Sequence, residues 1–209
     1  KQIGVDFEQT VNNYQFIEMM ARRKLRERGE TGPTADPSQS STDYEGGFVF
    51  PPYSGVARNM VGIDVESLYP WTMYMLNASP DTKIDESEAQ RQGIPYSKAP
   101  NGVCFRLDRD GLFKTMVKDA LDLKEGYRTL KNNAAPGSDE EAMYAVEYAV
   151  AKTITNSIYG VIGWDKFFLY DDETAEAVTL AGQSVIKSTA EFVTENTVGE
   201  VKYGDTDSV

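Results

Sequence analysis

The sequence predicts an α+β fold in which short strands leading into aspartates lie on either side of an antiparallel hairpin of two long helices. Two observations carry this expectation. Residues 112–131 repeat apolar side chains at helical spacing, a second helix opens at a capping box on Ser138 and runs to about 159, and only the turn 132–137 joins them. Residues 48–50, 60–65 and 200–203 are short runs of β-favouring residues, and the last two run into Asp64 and Asp205.

The elements follow in chain order. From 8 to 28, Val11, Tyr14, Ile17 and Met20 or Ala21 recur at helical spacing, with a basic cluster of Arg22, Arg23, Lys24, Arg26 and Arg28. Residues 30–42 are rich in Gly, Pro, Ser and Thr and read as a linker. After the 60–65 run, Pro70 suits the first turn of a helix that continues through Trp71, Met73, Tyr74 and Met75. Residues 81–101 are polar and read as loop. The helix at 112–131 has Leu112, Met116, Leu121, Leu123, Tyr127 and Leu130 as its apolar members. Ser138 followed by Glu141 forms a capping box for the second helix, which Gly160 closes. A third helix spans 172–196, and a tight turn at 204–207 returns the chain through Ser208 and Val209.

Composition narrows the chemistry. The chain has 209 residues, one cysteine and no histidine. Cys104 alone cannot build a disulfide framework, which suits a reducing cytosol, and a zinc site lacks its usual ligands. Any metal must be held by carboxylates, which points to magnesium, manganese or calcium. No run of about 18 apolar residues is present to span a membrane, and residues 1–10 lack an apolar signal core. The net charge of −12 has two readings. Either the chain avoids nucleic acid, or acid coats its outer surface while a small basic groove binds it. Strong acidity is also expected where concentrated salt screens self-repulsion.

Four constellations can carry chemistry. Asp64-Val65-Glu66-Ser67-Leu68-Tyr69-Pro70 puts a carboxylate where a strand turns into a helix; such an aspartate is ordinarily a cap or a solvated residue, and at a sheet edge it can hold a metal. Gly204-Asp205-Thr206-Asp207 is either a plain turn or two carboxylates focused on one spot, which repel unless a cation joins them. Lys152, Asn156 and Tyr159 share one helix face at i, i+4 and i+7, mixing a cation, an amide and a ring where a solvated stripe would carry plain charges. Lys124 and Arg128, at i and i+4 on the preceding helix, are cheap to tolerate if exposed and useful if an anion docks between them.

Taken together these residues resemble family B DNA polymerases. Asp64-x-x-Ser67-Leu68-Tyr69-Pro70 matches the first palm motif, Lys152-x-x-x-Asn156-Ser157-x-Tyr159-Gly160 the fingers motif, and Tyr203-Gly204-Asp205-Thr206-Asp207-Ser208 the second palm motif. Tyr44-Glu45-Gly46-Gly47 matches the element between the exonuclease and polymerase regions. All four stand in family order and cover essentially the whole chain.

The resemblance implies an antiparallel-sheet palm carrying an α-helical fingers hairpin, in a partial chain without thumb or exonuclease domain. Residues 1–47 would close the exonuclease region and carry the linker, 48–111 begin the palm, 112–160 form the fingers, and 161–209 return to the palm. It implies DNA-directed DNA polymerisation in DNA replication, by two-metal transfer of a nucleotide from a dNTP to a primer 3′-hydroxyl. Asp64, Val65 (through its carbonyl) and Asp207 would hold two Mg2+ ions, with Asp205 in the same motif and Asp64, Asp205, Asp207 and Lys152 catalytic. Ser67, Leu68, Tyr69, Lys124, Arg128, Lys152, Asn156 and Tyr159 would bind the dNTP, with Lys152 protonating pyrophosphate and Tyr69 rejecting a 2′-hydroxyl. Tyr44, Gly46, Gly47 and Gly160 would contact DNA.

Primer–template DNA and dNTPs are the implied partners, a sliding clamp would engage only through regions outside these residues, and the implied location is the cytoplasm at the nucleoid. The acidity fits a haloarchaeal source over a virus or plasmid. Two positions depart from the family pattern: Trp71 stands where Ser is commoner, and Lys124 replaces an expected Arg with a point charge. Asp64-x-Glu66 also has exonuclease spacing, which the directly following Ser67-Leu68-Tyr69-Pro70 outweighs. The rivals are a protein-primed polymerase, for which 81–111 is a short insertion, a non-catalytic remnant, and an unrelated acidic metal-binding protein. Both ends read as cuts through a longer protein, so the isolated 209 residues are expected to polymerise poorly or not at all.

Overall fold

A computed structural model describes residues 13–34, 38, 40 and 44–209. The part of the first predicted helix before Asn13, and much of the 30–42 linker, lie outside the described residues. Six α-helices and one small sheet make up the described structure. They are α1 (Asn13–Glu27), α2 (Leu68–Leu76), α3 (Glu86–Gln92), α4 (Leu112–Asn133), α5 (Asp139–Ile162) and α6 (Asp172–Asn196). The strands β1 (Lys83–Ile84), β2 (Tyr96–Lys98) and β3 (Cys104–Arg106) form an antiparallel sheet in the order β1-β3-β2. Among the described residues no helix is long and apolar enough to cross a membrane.

The α4–α5 hairpin is the centre of the fold. α4 buries Leu112, Phe113, Met116, Val117, Ala120, Leu121 and Lys124, a stripe that recurs every three to four residues. α5 meets it with Ala151, Thr155, Ile158, Val161 and Ile162, and Thr155 Oγ1 donates across the hairpin to the Ala120 carbonyl at 3.3 Å. The Ser138 hydroxyl caps α5 by accepting from Glu141 N at 3.1 Å. The Glu141 carboxylate accepts from Gly137 N at 2.6 Å, one residue earlier than a strict capping box requires. α5 runs through Gly160 to Ile162, with Gly163 at its C-cap, so Gly160 does not close it.

α1 lays Ile17, Ala21 and Leu25 on this hairpin. Arg28, just past its end, donates to the Gly111 carbonyl at 2.9 Å and pairs with Asp81 at 3.3 Å, pinning α1 to the start of α4. Phe167, fully buried, packs against Phe113 and Phe168 with ring centroids 6.1 and 5.0 Å away.

Residues 81–101, read as loop, hold a 3-10 turn (Pro80–Thr82), β1, α3 and β2. α3 has a complete set of local signals: Asp85 accepts from Ser87 N and Glu88 N, and Gly93 ends the helix at φ 66°. Its one buried residue is Ala89, so no apolar period announces it. Of the predicted strands, 48–50 and 60–65 are instead short paired segments. Val49 bridges Asp205 and Asp64 bridges Ser208, and 200–203 carries no strand.

Candidate active site

Backbone pairing brings the two aspartate motifs together. Ile63 and Val209 exchange both backbone hydrogen bonds at 2.8 and 2.9 Å, and Val65 N donates to the Asp207 carbonyl at 2.8 Å. Asp205 and Ser208 close a two-residue turn over Thr206-Asp207 with bonds of 2.9 and 3.0 Å. A third segment holds that turn from behind, where Thr206 N donates to the Phe48 carbonyl and Phe50 N to the Gly204 carbonyl, each at 2.9 Å.

Two residues at this junction sit at positive φ without being glycine. Thr206 is at 53° and Ser67, the N-cap of α2, at 57°. A β-branched residue in that region costs about 1–2 kcal/mol, and such strain persists where the surroundings over-determine it. Gly47 is the close neighbour that allows the turn to sit there. A Cβ on it would lie 2.6 Å from Thr206 Oγ1.

The paired segments form one wall of a cleft of about 750 Å3. Asp64, Glu66 and Asp207 supply its acid, and Lys152 and Arg128 its cations. Ser67, Leu68, Tyr69 and Pro70 line it from the start of α2, and Tyr148 and Asn156 from α5. Burial and the like charge of Asp64 hold the Asp207 carboxyl above its ordinary range, partly opposed by Lys152. Asp64, Asp207 and Lys152 line the same cleft. Asp205 is turned elsewhere: its oxygens accept from Thr206 Oγ1 at 2.8 Å and Tyr203 OH at 3.3 Å, and it does not line the cleft.

Tyr69 forms the floor. Its ring stacks on Tyr159, 4.5 Å between centroids and 25° between planes. Burial first, then Tyr159 and the two turn aspartates, push its phenol up to about 12. Tyr159 lies beneath Tyr69 and not in the cleft lining, its hydroxyl 2.5 Å from Thr179 Oγ1. Tyr44 also packs here, its phenol raised by burial and by Tyr159.

α6 supports these groups with one face. Thr179 meets Tyr159, Gly182 backs Tyr69, Gln183 donates to the Gly46 carbonyl at 2.7 Å, and Lys187 lies 4.3 Å over the Phe48 ring. A Cβ on Gly182 would sit 3.0 Å from Tyr69 Cε1. None of these four α6 residues was singled out in the sequence. Their i, i+3, i+4, i+8 spacing was the available signal, since it interrupts an apolar face with small and polar groups.

The predicted residues therefore divide. Asp64, Ser67, Leu68, Tyr69, Arg128, Lys152, Asn156 and Asp207 line one cleft, and Val65 is joined to Asp207 by backbone. Gly160 is exposed on α5, and Tyr44, Gly46 and Gly47 sit behind the turn and α6. Lys124 is buried at 4% exposure, behind the cleft lining. Its ammonium donates to Glu66 Oε1 at 2.6 Å and Ser67 Oγ at 2.8 Å. Glu66, considered in the sequence only for an exonuclease spacing that was outweighed, also takes Arg128 at 2.9 Å, and these bonds, Lys124 first, hold its carboxyl below the ordinary range.

The sequence profile of the family described as DNA polymerase family B matches residues 6–209. Among curated proteins, the DNA polymerase of Archaeoglobus fulgidus is 31% identical over 196 residues, covering 92% of this chain and 24% of the relative. DNA polymerase 2 of Aeropyrum pernix is 31% identical over 193 residues, again 92% of this chain and 24% of the relative. The solved structure of the family B DNA polymerase from Pyrobaculum calidifontis superposes with a TM-score of 0.76 at 28% identity, over 95% of this chain and 26% of that one. The chain thus spans about a quarter of the length of the relatives it matches. With the match running through nearly all of its residues, this chain belongs to the family B DNA polymerases.

Proposed function

We propose that this chain carries the nucleotidyl-transfer centre of a DNA-directed DNA polymerase, extending a primer on a DNA template from dNTPs. The observation that carries the reading is the pairing of the Asp64 and Asp207 segments on one wall of a cleft whose α5 side presents Lys152. In this reading 48–111 and 161–209 form the palm and 112–160 the fingers, with 1–47 the end of an exonuclease region.

The donor set suits magnesium. Among the described residues no group of three or more His, Cys, Asp or Glu side chains forms a ready-made cage. Mg2+ is characteristically bound by one or two carboxylates, with waters and substrate phosphates completing its shell. The like-charge strain between Asp64 and Asp207 is what a bound cation would relieve. Asp64, Asp207 and the Val65 carbonyl would hold two ions, with Asp205 supporting the turn. When bound, such ions neutralise the phosphates and favour attack by the primer hydroxyl.

The chain's own groups supply the rest. The primer 3′-hydroxyl gives its proton to solvent as its oxygen forms a bond to the α-phosphorus, and the α-phosphorus–oxygen bond to pyrophosphate breaks. Lys152 holds the proton that the leaving pyrophosphate takes up, and with Arg128 it offsets the triphosphate charge. Tyr69, held between Tyr159 and Gly182, occupies the space a 2′-hydroxyl would need. Asn156 faces the nascent base pair from α5, and Leu68 and Ser67 border the sugar and phosphates. Tyr44, Gly46, Gly47 and Gly160 contact DNA outside the cleft.

The test is primer extension by the complete polypeptide that carries residues 1–209. Asp207→Asn and Lys152→Ala are each expected to lose at least about a hundredfold in incorporation rate with the fold intact, the scale of a single charge-stabilising or proton-donating group. Wild-type rates in either variant would overturn its assigned role, and wild-type rates in both would overturn the reading.

A further inference from the structure

Lys124 and Arg128 carry positive charge from successive turns of α4, and one carboxylate takes both. Glu66 Oε1 accepts from Lys124 Nζ at 2.6 Å, and Glu66 Oε2 accepts from Arg128 Nη1 at 2.9 Å. The partners differ in freedom. The Lys124 side chain is 5% exposed, carried inward by the apolar stripe of α4 and bonded to Ser67 Oγ at 2.8 Å. Arg128 is tethered a second time by Glu125 on its own helix. Glu66 is 51% exposed and stands in the cleft lining, whereas Lys124 lies behind it.

Two cations fixed on a helix and bridged by both oxygens of one acid form an anion seat. A phosphate presents the same acceptor geometry with more charge. For a triphosphate to reach Lys124, the carboxylate of Glu66 must first leave, and its exposed position lets it rotate into the cleft solvent.

We propose that Glu66 is an internal competitor for the triphosphate seat. It holds Lys124 and Arg128 in place while no nucleotide is bound and is displaced by an incoming triphosphate. The proposal rests on the polymerase reading of the cleft. Its consequence is selectivity. An anion must outbid a resident carboxylate at two cations together, which favours a polyphosphate chain over a monophosphate. Apparent nucleotide affinity is lowered by the fraction of time the seat is closed.

The test compares KM for a correct dNTP, and the inhibition constant of inorganic tripolyphosphate, in the complete polypeptide that carries residues 1–209. Wild type is set against Glu66→Gln, Glu66→Asp and Arg128→Ala. Glu66→Gln should lower both constants about two- to fivefold, the range that one half-exposed ion pair contributes. Glu66→Asp, one methylene too short to bridge both cations, should fall between it and wild type. If Arg128→Ala raises KM while Glu66→Gln leaves it unchanged or raised, competition is overturned and the nucleotide site survives. If Arg128→Ala leaves KM unchanged, the triphosphate seat itself is wrong and the competitor falls with it. Should Glu66→Gln fold poorly, Glu66→Asp carries the decision, because it keeps a charge beside Lys124; a KM at or above wild type then overturns the proposal.

Discussion

Removing either member of the Glu66–Lys124 pair should cost very different amounts. Glu66→Ala leaves a lysine at 4% exposure whose remaining polar partner among the described residues is the Ser67 hydroxyl. Orphaning one member of a fully buried pair costs about 3–5 kcal/mol; the half-exposed position of Glu66 reduces this to about 2–3 kcal/mol. Lys124→Met removes the charge and keeps the length of the apolar stem, on the same stripe as Phe113, Val117 and Ala120. Glu66 is then half in solvent and still paired with Arg128 at 2.9 Å, so the cost is about 1 kcal/mol or less. For a chain of this length about 2–4 °C accompanies each kcal/mol. Thermal unfolding of the 209-residue chain, followed by circular dichroism, should fall by about 4–12 °C for Glu66→Ala and by under about 4 °C for Lys124→Met. Equal losses, or a larger loss for Lys124→Met, would refute the claim that burial of the ammonium dominates this pair.

Three further outcomes are expected. Asp64→Asn should raise the melting temperature measured in a chelator, because it removes the like charge that raises the Asp207 carboxyl, while lowering nucleotide incorporation about a thousandfold; a lower melting temperature would contradict the repulsion. Gly182→Ala should leave stability within about 1 kcal/mol, since better helix propensity offsets the contact at 3.0 Å from Tyr69, yet change the ratio of dNTP to rNTP use; an unchanged ratio would remove Gly182 from sugar positioning. Ser138→Ala should cost about 1 kcal/mol by removing the cap bond to Glu141 N, read as a lower denaturant midpoint with unchanged slope.

The long helices and the order of the chemical motifs were legible in the residue order. The apolar period of 112–131 is a local signal, and the structure places α4 at Leu112–Asn133 and the third expected long helix, α6, at Asp172–Asn196. Asp64, Lys152 and Asp207 could be singled out because the motifs that hold them stand together in the order of family B DNA polymerases, although each motif alone also had a plain structural reading. The sheet β1-β3-β2 was not legible. Its strands are two or three residues long, and β3 pairs with partners on either side of α3 and a turn, so nothing within either strand records the pairing.

Tertiary packing alone decided which charges face the cleft and which lie behind it. Lys124 and Lys152 look alike in sequence, yet one is carried inward by the phase of the α4 stripe and the other stands exposed on α5. Asp205 and Asp207 flank one residue, yet the turn geometry at Thr206 directs one toward Tyr203 and leaves the other beside Asp64. Glu66 could be paired with α4, and Gly182 set against Tyr69, only after long loops had closed. A helix encodes its own period within a few residues, whereas a contact across a hundred residues is chosen by the packing of everything between.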